Sequence, residues 1–359
     1  MSIKDLFGKL TPPYVIQGGM GIGVSLSGLA SAVANAGGIG IIATAGIGMD
    51  EPDFGSNFLE ANIRALRREI RKAREMTRGV IGVNIMVALT NYADMVKTSI
   101  EEGVDLIISG AGLPLDLPKY LIEGCKTKLV PIVSPPRAAG VICRRWYGKF
   151  GRLPDGFVVE GPLAGGHLGF SVEQLSDPEF ALEKLVPKVL DEIARFCEEH
   201  KVEIEIPVIA AGGIYTGADI HKFIQLGAVG VQMATRFVAT HECDADIRFK
   251  QAYIDAKKED LVIIKSPVGL PGRAIRNEFI DALMDEKKKP FKCPFHCIKT
   301  CELEKSPYCI SMALINAKKG KLKGGFPFAG ANAYRVEEIV SVEELVSAIR
   351  EEYEKASRK

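Results

Sequence analysis

A chain with only five histidines places one of them, His167, directly after Gly165 and Gly166 in the stretch EGPLAGGHLGF (160–170). Residues without side chains let a loop pass close to a ligand, and an imidazole has an unperturbed pKa near neutrality. That combination suits a general acid or base held over a reacting group. The competing reading is a loop histidine satisfied by local hydrogen bonds. A second reactive group is Cys293, Cys297, Cys301 and Cys309, spaced C-x3-C-x3-C-x7-C. A helix would line up the first three on one face, and four thiolates can hold a [4Fe–4S] cluster or tetrahedral zinc. The spacing matches neither the ferredoxin run nor a zinc-finger knuckle. His296 could replace one ligand, and buried, unliganded thiols are the third reading. Cys125, Cys143, Cys197 and Cys243 stand alone.

Two further stretches suit a phosphate. AAGGIYTGADI (210–220) sets Gly212 and Gly213 before Thr216, a candidate helix cap, and VQMATRFVAT (231–240) carries Gln232, Met233, Ala234 and Thr235. Backbone N–H groups at such strand ends, backed by a helix start, cradle an anion without a lysine. The plainer alternative is that these glycines only make tight turns.

The elements that would position these groups are short, continuously apolar runs. Strands are expected near 14–17, 38–42, 80–86, 104–109, 128–133, 156–161, 206–211 and 228–234. Continuous rather than alternating apolarity is the pattern of parallel strands covered on both faces. Between them lie helical segments, including SLSGLASAVANAGG with a serine cap, a long arginine-rich stretch, and 171–200 broken by prolines. Eight strand–helix units over roughly 250 residues match a (β/α)8 TIM barrel, the expected fold class, with an appended C-terminal helical region. An open doubly wound sheet is the alternative, but GGMGIG (18–23) has its glycines at the wrong offsets for the dinucleotide fingerprint. The expected divisions are a barrel over 1–243, a helical insertion or lid with the cysteines over 244–325, and a returning segment and helix over 326–359.

A net charge of +1 gives no reason to expect nucleic acid or an anionic membrane as a partner. No charged residue occurs from Leu10 to Met49, but glycine, serine, Gln17, Asn35 and a TPP turn break the run. Strand, helix, strand is the expectation there, not a membrane span. The opening MSIKDLFGKL lacks a long apolar core with a cleavage site, so a cytoplasmic location is expected. Without an export signal, a metal explains the cysteine cluster better than disulfides do. The arginines of 64–78, interleaved with glutamates, suit the solvated face of an outer helix.

In order along the chain, IQGGMG, GVNIM, EGPLAGGHLG, PVIAAGGI, VQMATRF and GLPGRAIRN resemble the nitronate monooxygenase family, formerly 2-nitropropane dioxygenases. They also resemble the related flavin-dependent enoyl-acyl carrier protein reductase II. The resemblance spans about 12–280 and again about 328–350. It implies an FMN enzyme on a (β/α)8 barrel, with Gly18, Gly19 and Met20 lining the isoalloxazine and Asn84 hydrogen-bonded to the flavin. Glu160, Gly165 and Gly166 would lie beside the ring or ribityl chain. Gly212, Gly213, Gln232, Met233, Ala234 and Thr235 would hold the phosphate, and His167 would be the acid–base residue or the anchor of a nitro group. Two departures bear on the substrate. Leu163 stands where many relatives carry a polar residue, and the cysteine segment is absent from the simplest members.

The leading functional expectation is oxidation of alkyl nitronates with oxygen to a carbonyl compound and nitrite. The second is NAD(P)H-dependent reduction of an enoyl thioester, which an iron–sulfur centre would favour. The third is a non-catalytic electron-transfer or binding module. A small molecule is the expected partner, and a homo-oligomer is a candidate assembly. Arg273 and Arg276 are expected to organise their loop or bind an anion.

Overall fold

The computed structural model describes residues 10, 12–285, 293 and 295–358. In chain order the strands are β1 (Val15–Gln17), β2 (Ile39–Ala43), β3 (Val80–Met86), β4 (Leu106–Gly110), β5 (Lys128–Val133), β6 (Phe157–Glu160), β7 (Gly166–His167), β8 (Val208–Ala211), β9 (Gly230–Met233), β10 (Leu261–Lys265) and β11 (Pro271–Ile275). The helices are α1 (Ser27–Asn35), α2 (Phe58–Met76), α3 (Tyr92–Glu101), α4 (Pro136–Phe150), α5 (Leu182–Glu199), α6 (Gly217–Gln225), α7 (Thr235–Val238), α8 (Ile247–Asp255), α9 (Glu278–Met284), α10 (Ile310–Lys318) and α11 (Val342–Ser357). Strands β1-β2-β3-β4-β5-β6-β8-β9 close into a parallel barrel, which excludes the open sheet.

Because side chains alternate along a strand, each strand serves two cores. Ile81, Val83 and Ile85 of β3 point outward to pack against the helices. Val80 of the same strand joins Ile16, Ile39, Ile41, Leu106, Ile108, Val130, Val158 and Ile209 inside the barrel. The uncharged run from Leu10 to Met49 resolves into β1, α1 and β2, as its breaks imply. Among the described residues no helix is long and apolar enough to cross a membrane. The arginines of α2 form a surface lattice, with Arg67 on Glu101 at 2.6 Å, Arg71 on Glu102 at 2.7 Å and Arg74 on Asp105 at 2.9 Å.

Three local expectations change. The serine cap of α1 is not formed. Instead the carboxylate of Asp244, more than two hundred residues away, accepts from Leu26 N at 2.8 Å and Leu29 N at 3.1 Å. The stretch 171–200 makes two single 3-10 turns before α5, which tolerates Pro187 in its first turns. The segment after the barrel is not wholly helical. β10 and β11 form an antiparallel hairpin whose second strand pairs with β7, putting Gly272 opposite His167 and Arg273 opposite Gly166. Thr216 does cap α6, in a reciprocal box with Asp219. Helix α11, capped by Ser341 and Glu344, returns against α6 so closely that a Cβ on Gly217 would meet Tyr353 N at 2.1 Å.

Candidate active site

One inward-facing residue at the carboxyl end of each strand forms the floor of a cavity: Gly18, Ala43, Asn84, Gly110, Ile132, Glu160, Ala211 and Gln232. This is the top layer of the alternating pattern that fills the barrel below. Its volume is about 280 Å³, far beyond the space one water needs, so it is ligand-sized. Every residue expected to touch FMN lines it: Gly18, Gly19, Met20, Asn84, Glu160, Gly165, Gly166, Gly212, Gly213, Gln232, Met233, Ala234 and Thr235. His167 lines the same cavity.

His167 sits on β7, where pairing with β11 fixes its backbone. Its Nε2 lies 2.7 Å from Ser266 Oγ, and that oxygen also accepts from Val268 N at 3.3 Å. The Phe328 ring stands edge-on at 5.0 Å. Removal from water lowers the His167 pKa to about 4, so the ring is neutral at physiological pH. Among the described residues no hydrogen bond is made at Nδ1. Glu160 moves the other way. Burial alone raises its pKa to about 7, since no cation neighbours it.

Ser266 is a site residue that sequence reasoning passed over, although it adjoins the recognised GLPGRAIRN motif. Arg273 of that motif is buried, and its guanidinium donates to Pro162 O at 2.7 Å and Ala164 O at 2.5 Å. It therefore organises the loop ahead of His167. Arg276 pairs with Asp281 at 2.7 Å on the surface. Of the other histidines, His200 stacks on Phe196 at 4.2 Å and His221 stands against Tyr353. Neither lines the cavity.

The cysteine expectation is corrected. Residues 295–301 are extended and turn rather than helical, so the spacing of four does not align thiols on a helix face. Among the described residues, no group of three or more histidine, cysteine, aspartate or glutamate side chains is placed to hold a metal ion. Cys297 lies 3.0 Å from Ser311 Oγ, Cys301 lies 3.6 Å from Ser306 Oγ, and Cys293 Sγ accepts from His296 N at 3.3 Å. Only Cys297 of the four lines the cavity. Neither the iron–sulfur nor the zinc reading has support.

The floor fits a flavin nucleotide on two structural observations. Gln232 Oε1 is buried without a hydrogen-bond partner, which is costly unless a ligand supplies a donor. Gly212 and Gly213 have φ of +93° and +86°, and a Cβ on either would meet a neighbour at 2.8 Å. This left-handed pair bares its backbone beside Thr235 and Ala234, as a phosphate requires. The segment after α10 closes this end. Asn332 Nδ2 donates to Gly213 O at 2.7 Å, and Ala331 N donates to Leu163 O at 3.0 Å.

Barrel, floor and glycine cradle fit a flavin nucleotide, and with the family match they make the protein an FMN-dependent oxidoreductase. The nitronate monooxygenase family matches residues 4–352, and the chain belongs to that family. A Mycobacterium tuberculosis protein, (3aS,4S,5R,7aS)-5-hydroxy-7a-methyl-1-oxo-octahydro-1H-indene-4-carboxyl-CoA dehydrogenase, is 32% identical over 281 residues, covering 78% of this chain and 67% of the relative. A probable nitronate monooxygenase of Staphylococcus saprophyticus is 28% identical over 301 residues, covering 76% and 78%. Among solved structures, FabK from Thermotoga maritima superposes with a TM-score of 0.74 at 29% identity, over 100% of this chain and 97% of that one.

Proposed function

We propose that the protein oxidises alkyl nitronates, drawn from nitroalkanes, with oxygen to a carbonyl compound and nitrite. The observation that carries this reading is His167 lining the cavity with its Nε2 held by Ser266 and its ring kept neutral. FMN would be held by Asn84 and Gln232 at the floor and by the backbone at Gly212, Gly213, Ala234 and Thr235. When bound, it supplies electron acceptance from the substrate and delivery to oxygen.

The chain's own residues do the rest. A neutral imidazole takes the α-proton of a nitroalkane, or donates to a nitro oxygen, according to its tautomer. Ser266 anchors the opposite nitrogen and can serve either tautomer, because a hydroxyl both donates and accepts. The β10–β11 hairpin pairs with the His167 backbone and Phe328 packs against its ring, which fixes its direction.

A second reading, NAD(P)H-dependent reduction of an enoyl thioester, fits the same cavity. Among the described residues no lysine or arginine lines the cavity, which suits a neutral conjugated carbonyl as well as a nitroalkane. The similarity to FabK supports this second reading, and the relative named a carboxyl-CoA dehydrogenase supports a thioester substrate. An anaerobic comparison separates the two. Flavin bleaching by ethyl nitronate alone supports the first reading. Bleaching by NADH or NADPH, with none by the nitronate, overturns it in favour of the second.

A further inference from the structure

The cysteine-bearing segment has a structural role that its thiols do not suggest. It lies beside the β3–α3 connection, where Leu89 and Ile298 form an antiparallel bridge. Thr90 N donates to Cys297 O at 3.1 Å, and Lys299 N donates to Ala88 O at 2.9 Å. On its other side Thr300 Oγ1 donates to Val268 O at 3.0 Å. Val268 is in the turn whose Ser266 holds His167. The segment is thus fixed between the third strand's loop and the hairpin carrying the histidine's anchor.

What it and α10 present to the cavity is mostly apolar. Ile298 comes from the segment itself, and Ile310 and Leu314 come from α10, one helical turn apart on one face. Leu89 and Val268 complete the wall. The Cys297 thiol is engaged with Ser311 and pushed by burial to about 11, so it stays uncharged. The one hydroxyl on this wall, Ser311, is engaged with that thiol, and the larger polar side chains Asn84, Glu160 and Gln232 stand on the barrel floor.

Building on the flavin-enzyme reading of this site, we propose that Leu89, Val268, Cys297, Ile298, Ile310 and Leu314 form a tail chamber that selects substrates with an uncharged, aliphatic chain of several carbons beside the reacting group. The segment that distinguishes this chain from simpler relatives is then a specificity element. A reacting group enters against His167, and each methylene behind it leaves water for this wall. A carboxylate or phosphate near the reacting group meets no cation there and loses its hydration without compensation.

The test is calorimetric titration of the FMN-loaded protein with butanamide, hexanamide and octanamide, neutral probes that need no turnover. Affinity is expected to tighten about tenfold for each added pair of methylenes. Octanoate at pH 8 is expected to bind at least about tenfold more weakly than octanamide. Ile310→Trp should collapse the octanamide-to-butanamide affinity ratio, and the series on the unmutated protein stands even if that variant misfolds. Equal affinity for all three amides, octanoate binding as tightly as octanamide, or an unchanged ratio in Ile310→Trp overturns the proposal. Failure of the nitronate reading has a different signature: no flavin bleaching by ethyl nitronate, with the chain-length series intact.

Discussion

His167 and Glu160 are both half-buried at the cavity, and the same physical cause moves them in opposite directions. Burial disfavours a charge, so the imidazole falls to about 4 while the carboxyl rises to about 7. Catalysis that needs a neutral imidazole should therefore keep its rate down to pH values well below 6.5. The acid limb of kcat/KM is expected near pH 4 rather than near the ordinary histidine value. Replacing His167 with alanine should lower kcat at least about a hundredfold while FMN stays bound, read by steady-state rates beside the flavin spectrum. The signs for stability are separable as well. Between pH 6.5 and 4 an unfolded His167 takes up a proton that the folded one refuses, so its contribution is lost as pH falls. Between pH 4.5 and 7 a folded Glu160 holds a proton that the unfolded one releases, so stability is lost as pH rises. Glu160→Gln should remove that second loss. The His167 effect runs the opposite way over part of that range, so the two largely cancel in the parent, and the urea midpoint of the variant should rise from about pH 5 to about pH 8 more than the parent's does.

At the scale of elements, α1 shows how a long-range contact replaces a local one. Asp244 holds two N–H groups at its start, the task of an N-terminal cap. Asp244→Ala is expected to cost about 1–2 kcal/mol of stability, measured by urea denaturation. Most strands were legible because parallel strands buried on both faces are continuously apolar, and all eight barrel strands fall within two residues of their expected bounds. The Asp244 cap was not legible, because SLSG offers a plausible serine and nothing local points to a carboxylate beyond the eighth strand. Ser27 instead lies inside the helix and donates to Glu69 at 2.6 Å. The β10–β11 hairpin was hidden for a similar reason. Its alternation is short, and its pairing with β7 depends on a two-residue strand that includes the histidine. The cysteine spacing misled because a period of four implies alignment only if the segment is helical. Backbone pairing with the Leu89 loop holds it extended.

For the whole molecule, the site is where barrel, hairpin and returning chain meet. Strand ends provide a floor whose polar groups await a ligand, and the hairpin supplies the histidine's anchor. The 326–334 segment closes over the Gly212–Gly213 turn, while α11 locks α6 behind it. The glycine pairs and the motif order made the floor legible in sequence. The outer wall was not, since its apolar residues carry no motif and gather only through tertiary contacts. A ligand that binds only the folded state stabilises it by about 2.7 kcal/mol at a hundredfold excess over its Kd. FMN should accordingly raise the thermal midpoint of flavin-free protein. The most direct measurement is an anaerobic visible titration of flavin-free protein with FMN. Uptake of one equivalent, with flavin bands perturbed from those of free FMN and no added iron–sulfur absorption, is the predicted result. A protein that stays colourless and leaves FMN free in solution contradicts the account.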